Sequence, residues 1–254
     1  MPASATPPAF LRRGPRALGA VVLTCEHASR RLPPPLAPRA SERRLLASHW
    51  GWDPGAWSLT AAIARRLGTT AVGGRWSRLW IDLNRDVRDP TLVRAEAGGA
   101  CPSWNERCGA AELERRIERG YLPYHLEVER QIARRLVRGV RPMVLAVHSF
   151  TAELEGRVRD FDIGVLFDHH GGPARRLGRS LAADGLRVRY NQPYSGRAGM
   201  MYSAERHGAA YGLVCLELEV NQARLARPGF GEWLAGRVVR ALGVGRGAAD
   251  LERR

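Results

Sequence analysis

The chain contains no lysine: all 40 of its basic residues are arginine. The formal net charge of +15 therefore reads as a compositional bias spread along the chain. Arginine pairs such as Arg43-Arg44, Arg65-Arg66 and Arg134-Arg135 fall on solvated helix faces, without the interleaved aromatics that single-strand binders use for base stacking. No specific nucleic-acid partner is expected, but the charge implies a general pull on small anionic substrates. Long apolar runs are also missing. None approaches the roughly 18 residues of a membrane span. Residues 1–18, with Pro7, Pro8, Arg12, Arg13, Pro15 and Arg16, lack the continuous apolar stretch of a signal peptide. There are only four cysteines. Cys25 and Cys215 sit in apolar runs, where a free thiol behaves as a small hydrophobe. Cys101 and Cys108 have six residues between them, which is no zinc-ribbon spacing. Reduced thiols and a cytoplasmic location are expected. No G-x-S-x-G elbow is present, and neither a G-x-G-x-x-G nor a P-loop pattern follows the first strand-like run.

What is present is an alternation of strand-like and helix-like segments over 254 residues, 44% of them hydrophobic. Strands are expected at residues 19–26, 69–73, 79–83, 143–147, 162–167, 186–190 and 211–220. Helices are expected at 41–49, 111–138 (interrupted at Gly120 and Pro123), 172–184 and 229–242. A further helix is opened by Asp53-Pro54, an Asp N-cap followed by Pro at the first helical position, and ends before Gly68. Residues 84–110 and 191–201 read as long loops, the kind that carries function. This order implies one domain over 19–243 with a mainly parallel or mixed sheet and helices on both faces. Residues 1–18 are expected to be a flexible arm and 244–254 a tail.

Two strand-like runs end on histidine: 20–27 on His27 and 142–148 on His148. Side chains at the carboxyl ends of strands in open α/β sheets face the ligand crevice, so two imidazoles from different strands can converge on one metal ion. Zinc catalysis typically takes three protein ligands and leaves one position open. The third ligand is a choice between Asp53, which also explains itself as an N-cap, and Glu26, which in a strand points to the face opposite His27. His49, four residues before Asp53, is a candidate for holding a ligand in place. Asn84 and Arg85 end another apolar run, where a guanidinium suits a substrate carboxylate. Glu217 and Glu219 share one face of an apolar strand. Two such carboxylates are expensive to bury unless used, and one is a candidate general base.

Several segments occur in a recognisable order: Cys25-Glu26-His27-Ala28-Ser29, His49-x-x-Trp52-Asp53-x-Gly55, Ser77-Arg78-Leu79, Asp82-Leu83-Asn84-Arg85, Pro123-Tyr124-His125, His148-Ser149-Phe150, Asp162-Ile163-Gly164, Asn191-Gln192-Pro193-Tyr194-Ser195-Gly196 and Glu219-Val220-Asn221. Together they resemble the N-formylglutamate amidohydrolase family of the zinc carboxypeptidase-like superfamily. The resemblance implies a three-layer αβα fold and a hydrolase that uses one Zn²⁺ to cleave the amide of a small, anionic N-acyl amino acid. It implies His27, Asp53 and His148 as ligands, and Glu219 as base. It further implies Asn84 and Arg85 as the carboxylate clamp, with His125 also binding substrate. Arg78 is a candidate for steadying the oxyanion on charge alone. One departure stands out: carboxypeptidases take two ligands from H-x-x-E, and here Arg30 follows His27 by three residues. That departure leaves room for a binding protein without turnover on the same scaffold.

Overall fold

The computed structural model describes residues 7–15 and 18–243; the tail expected at 244–254 lies outside them. A seven-stranded mixed sheet runs in the order β1-β3-β2-β4-β9-β7-β8. Its strands are β1 (Phe10–Arg13), β2 (Val21–Cys25), β3 (Ala71–Gly74), β4 (Met143–Phe150), β7 (Ile163–Leu166), β8 (Val188–Tyr190) and β9 (Cys215–Asn221). A small hairpin, β5 (Glu153–Leu154) and β6 (Arg157–Val158), lies outside it. The central strands β3, β2, β4 and β9 are parallel to one another, while β1 and the mutually parallel β7–β8 pair join them antiparallel.

Strand alternation builds two cores, one on each face. Val21, Leu23, Leu145, Val147, Leu216 and Leu218 meet α2 (Ala56–Leu67), α5 (Gly171–Ala183) and α8 (Phe230–Leu242). Val22, Val144, Ala146 and Cys215 meet α4 (Leu122–Leu136) and α6 (Tyr202–Ala209). Short helices α1 (Glu42–Ala47), α3 (Ala110–Arg116) and α7 (Gln222–Leu225) complete the outer layers. The result is the expected three-layer α/β/α sandwich. No helix among the described residues is long and apolar enough to cross a membrane.

Three local expectations are corrected. Residues 10–13, expected within the flexible arm, form edge strand β1 because their backbone completes a ladder with β3. The run 79–83 is no strand. The Trp80 and Ile81 amides donate to the Ser77 carbonyl, so the chain turns, and Leu79, Ile81 and Leu83 are buried as a packed loop. Asp53 is no N-cap. Helix α2 starts at Ala56 after Gly55, which has φ 81°, and this left-handed turn frees the Asp53 side chain for other partners. The interruption expected at Gly120 is a π-helical turn over Ile117–Tyr121. Gly120 lies against the Trp80 ring, leaving no room there for a side chain.

Candidate active site

The crevice lies at the carboxyl ends of β2, β4 and β9. It encloses about 170 Å³, below the ~300 Å³ of a drug-sized ligand site, which suits a small molecule better than a polymer. Its lining includes His27, His49, Asp53, Arg78, Asn84, Arg85, Arg94, His148, Glu217 and Glu219.

At its centre His148 Nδ1 lies 2.8 Å from Asp53 Oδ2, and His27 Nδ1 lies 3.5 Å from the same oxygen. One donor atom from each of the three residues falls within 4.8 Å of the other two. Both imidazoles are anchored through their other nitrogen: His27 Nε2 meets Asp82 Oδ1 at 2.7 Å, and His148 Nε2 meets Glu26 Oε2 at 2.8 Å. A carboxylate on the far nitrogen is what fixes tautomer and orientation in metal-binding histidines. His27 Nδ1 is buried and has no hydrogen-bond partner. With Nε2–H donating to Asp82, this Nδ1 carries the free lone pair. Burial and the nearby Arg78, opposed by Asp82, push His27 down to about 4, so the ring is neutral.

The charge balance points the same way. Glu26, Asp53, Asp82, Glu217 and Glu219 are all 3% exposed or less, and the Arg78 guanidinium, which contacts Asp53 Oδ1, is the nearest strong cation. Such an excess of buried carboxylate demands further positive charge. Against the opposing effect of burial, Glu217, Glu26 and Glu219 push His148 up to about 10, so without a metal the imidazolium fills that need. The donor set therefore fits one divalent ion of zinc type.

Glu219 sits beside the pair, in register with His148 on the adjacent strand. Gly164 of β7 is its partner on the other side, and a side chain there would collide with the Gln192 carbonyl. Burial raises Glu219 to about 7, with His148 opposing and Glu217 reinforcing. Burial also raises Glu217, whose Oε2 stands 3.7 Å from His148 Nε2.

The structure separates the remaining expected residues. Glu26 does not face the three donors; it holds His148 from the far side and accepts the Tyr124 hydroxyl at 2.7 Å. Arg85 lines the crevice with Nη1 donating to the Asn84 carbonyl at 2.9 Å. Asn84 lines it too, but its amide is committed elsewhere, donating to Met200 O at 3.1 Å and accepting from Ser203 N at 2.8 Å. His49 lines the crevice without a hydrogen bond to Asp53, and its Nε2 has no partner. His125 is corrected: it is not in the crevice lining but buried behind it, with Nδ1 2.8 Å from His207 Nε2. Its position on α4 turns it toward α6. The sequence assigned no role to Asp82, Arg94 or Tyr124. Asp82 follows an apolar run that ends at the crevice, and that was the available signal.

Comparison with known proteins matches this architecture. A family model described as N-formylglutamate amidohydrolase covers residues 19–226. The crystal structure of a gene product from Agrobacterium tumefaciens superposes with a TM-score of 0.86 and 30% identity, covering 93% of this chain and 94% of that one. An N-formylglutamate amidohydrolase from Ralstonia eutropha JMP134 superposes with a TM-score of 0.75 at 20% identity, covering 93% and 98%, a likeness of fold. No match was found among the curated proteins. The family match, spanning most of the chain, shows that this protein belongs to the N-formylglutamate amidohydrolase family, and so to the amidohydrolases.

Proposed function

We propose that the protein is a zinc-dependent hydrolase of small, anionic N-acyl amino acids of the N-formylglutamate type. The observation that carries this reading is the pair of imidazoles, His27 from the turn after β2 and His148 from β4. They turn their Nδ1 atoms toward Asp53 while carboxylates hold their Nε2 atoms. His27, Asp53 and His148 would hold the ion, which when bound supplies a Lewis acid for the amide carbonyl.

The rest is done by the chain itself. Arg85 faces the crevice with donors left for a substrate carboxylate, and Arg94 lines the same cavity. Asn84 ties the Arg85 loop to the start of α6, which fixes the clamp rather than adding to it. Glu219 takes a proton from the attacking water and delivers it to the leaving nitrogen as the C–N bond breaks, leaving a carboxylic acid and a free amino acid. Arg78 steadies the developing oxyanion in this reading and holds Asp53 in the meantime.

Purified protein would be assayed for metal content and for release of free amino acid from N-formyl and N-acetyl amino acids. The expected result is one crevice metal, lost in His148→Ala, and chelator-sensitive turnover. Full metal content in His148→Ala, or turnover unaffected by exhaustive chelation, overturns the reading.

A further inference from the structure

Cys215 opens β9 at the end of the sheet away from the crevice. Four residues at about 3.3 Å each place it roughly 13 Å from Glu219. Its side chain is fully buried, and its thiol donates only weakly, to the Leu213 carbonyl at 3.4 Å. Gly208 of α6 leaves the space that the sulfur occupies; a Cβ there would collide with Sγ.

Two further donors close over this sulfur. Glu205 precedes Gly208 by three residues on α6 and so shares its face. Its Oε1 is buried without a hydrogen-bond partner. His170 is the N-cap residue of α5, and its Nδ1 accepts the Cys215 backbone N–H at 3.3 Å. An imidazole nitrogen, a carboxylate oxygen and the sulfur lie within 4.8 Å of one another. Asp168 adds negative charge nearby, partly offset by His169.

We propose that His170, Glu205 and Cys215 form a second metal site, separate from the crevice, for a divalent ion of zinc type. Nitrogen, oxygen and sulfur donors together select a borderline-soft metal over calcium or magnesium. Donors around tetrahedral zinc stand about 3.5 Å apart for bonds of roughly 2.0–2.3 Å. The present donors, within 4.8 Å of one another, stand wider than that and would draw together around the ion. Burial and Glu205 push the free thiol up to about 12, so the ion enters by displacing the thiol proton to solvent as the metal–sulfur bond forms. The site ties the turn after β7, helix α6 and the start of β9.

Cobalt(II) is the probe, because a sulfur-to-cobalt charge-transfer band reports a thiolate ligand and the crevice donors contain no sulfur. Metal-free protein titrated with Co²⁺ is expected to show this band in the wild type, in His148→Ala and in a Cys101→Ser/Cys108→Ser double variant. Cys215→Ser is expected to lose it. Glu205→Gln and His170→Gln, both at partly exposed positions, keep the sulfur in place and test the site should Cys215→Ser fail to fold. Each is expected to weaken Co²⁺ binding, read from the band, by at least about tenfold, the lower bound seen even for outer-sphere partners. No sulfur band in the wild type, an unchanged band in Cys215→Ser, or full affinity in both Glu205→Gln and His170→Gln overturns the proposal. Retention of the band in His148→Ala separates this site from the crevice metal.

Discussion

Asp82 Oδ1 lies 2.7 Å from His27 Nε2 and also accepts the Asn84 backbone N–H at 2.9 Å. One carboxylate therefore fixes the tautomer of a candidate metal ligand and the start of the loop that carries Arg85. Asp82→Asn keeps an oxygen acceptor for both donors but removes the carboxylate charge that raises the basicity of the His27 ring. Metal affinity is expected to fall by about 10–100-fold, although none of the three donors is altered. Competition against a chelator of known affinity reads this directly; unchanged affinity removes Asp82 from the metal centre.

Glu219 should matter for turnover and little for metal. Glu219→Gln is nearly isosteric and removes the base, so kcat is expected to drop by about 10²–10⁴-fold with metal content retained. Loss of metal instead would make Glu219 a ligand. Glu217→Gln run in parallel assigns the base between the two buried carboxylates.

Arg85 is expected to act on binding. Hydrogen bonds to charged groups are worth about 1.5–3 kcal/mol, so Arg85→Ala should raise KM for a carboxylate-bearing substrate by roughly 10–150-fold. Arg85→Lys should restore only part of this, since an ammonium cannot bind a carboxylate in a planar fork. A neutral amide analogue of the substrate should be indifferent to either change.

The His125–His207 pair gives the fold an acid limit. Burial first, then Arg206, with Glu26 opposing, pushes His207 down to about 4 from its ordinary 6.5. Burial, His207 and Arg206 likewise hold His125 well below that value. Glu129, 3.7 Å from His207, is the remaining charge nearby. Because the folded pKa is depressed, the unfolded chain takes up the proton first. Stability is then full above about pH 6.5 and falls as pH drops toward 4, by up to roughly 3 kcal/mol for His207. Urea unfolding at a series of pH values checks the slope, and His207→Gln should flatten it. An equal slope in the variant assigns the acid sensitivity elsewhere.

Much of the fold was legible because buried strands and amphipathic helices differ in period; the 20–27 and 142–148 runs located β2 and β4, although β2 ends at Cys25, two residues before His27, and β4 runs on past His148 to Phe150. Strand alternation was the reason for setting Glu26 apart from His27, but both residues lie in the turn after β2, and Glu26 is engaged instead by His148 Nε2. Asp53 was ambiguous for a physical reason: Asp-Pro is also a helix start signal, and only the left-handed Gly55 shows that the helix begins later. The 79–83 run misled because a buried loop and a buried strand need the same apolar side chains. His125 was misplaced because a motif names a residue without stating which way its helix faces. The Asp82–His27 contact joins residues 55 positions apart, and no local pattern carries such information.

The pairing of His148 with Glu219 across β4 and β9 has a consequence for how this scaffold varies. Neighbouring strands stand about 4.7–4.9 Å apart in the hydrogen-bonding direction, so backbone hydrogen bonding holds the separation of the two groups. The clamp, by contrast, hangs on loops. Those loops can lengthen, shorten or change sequence to admit another acyl group or another side chain while the reactive pair keeps its spacing. Substrate preference and chemical competence are thereby inherited from different parts of the backbone and are free to evolve at different rates.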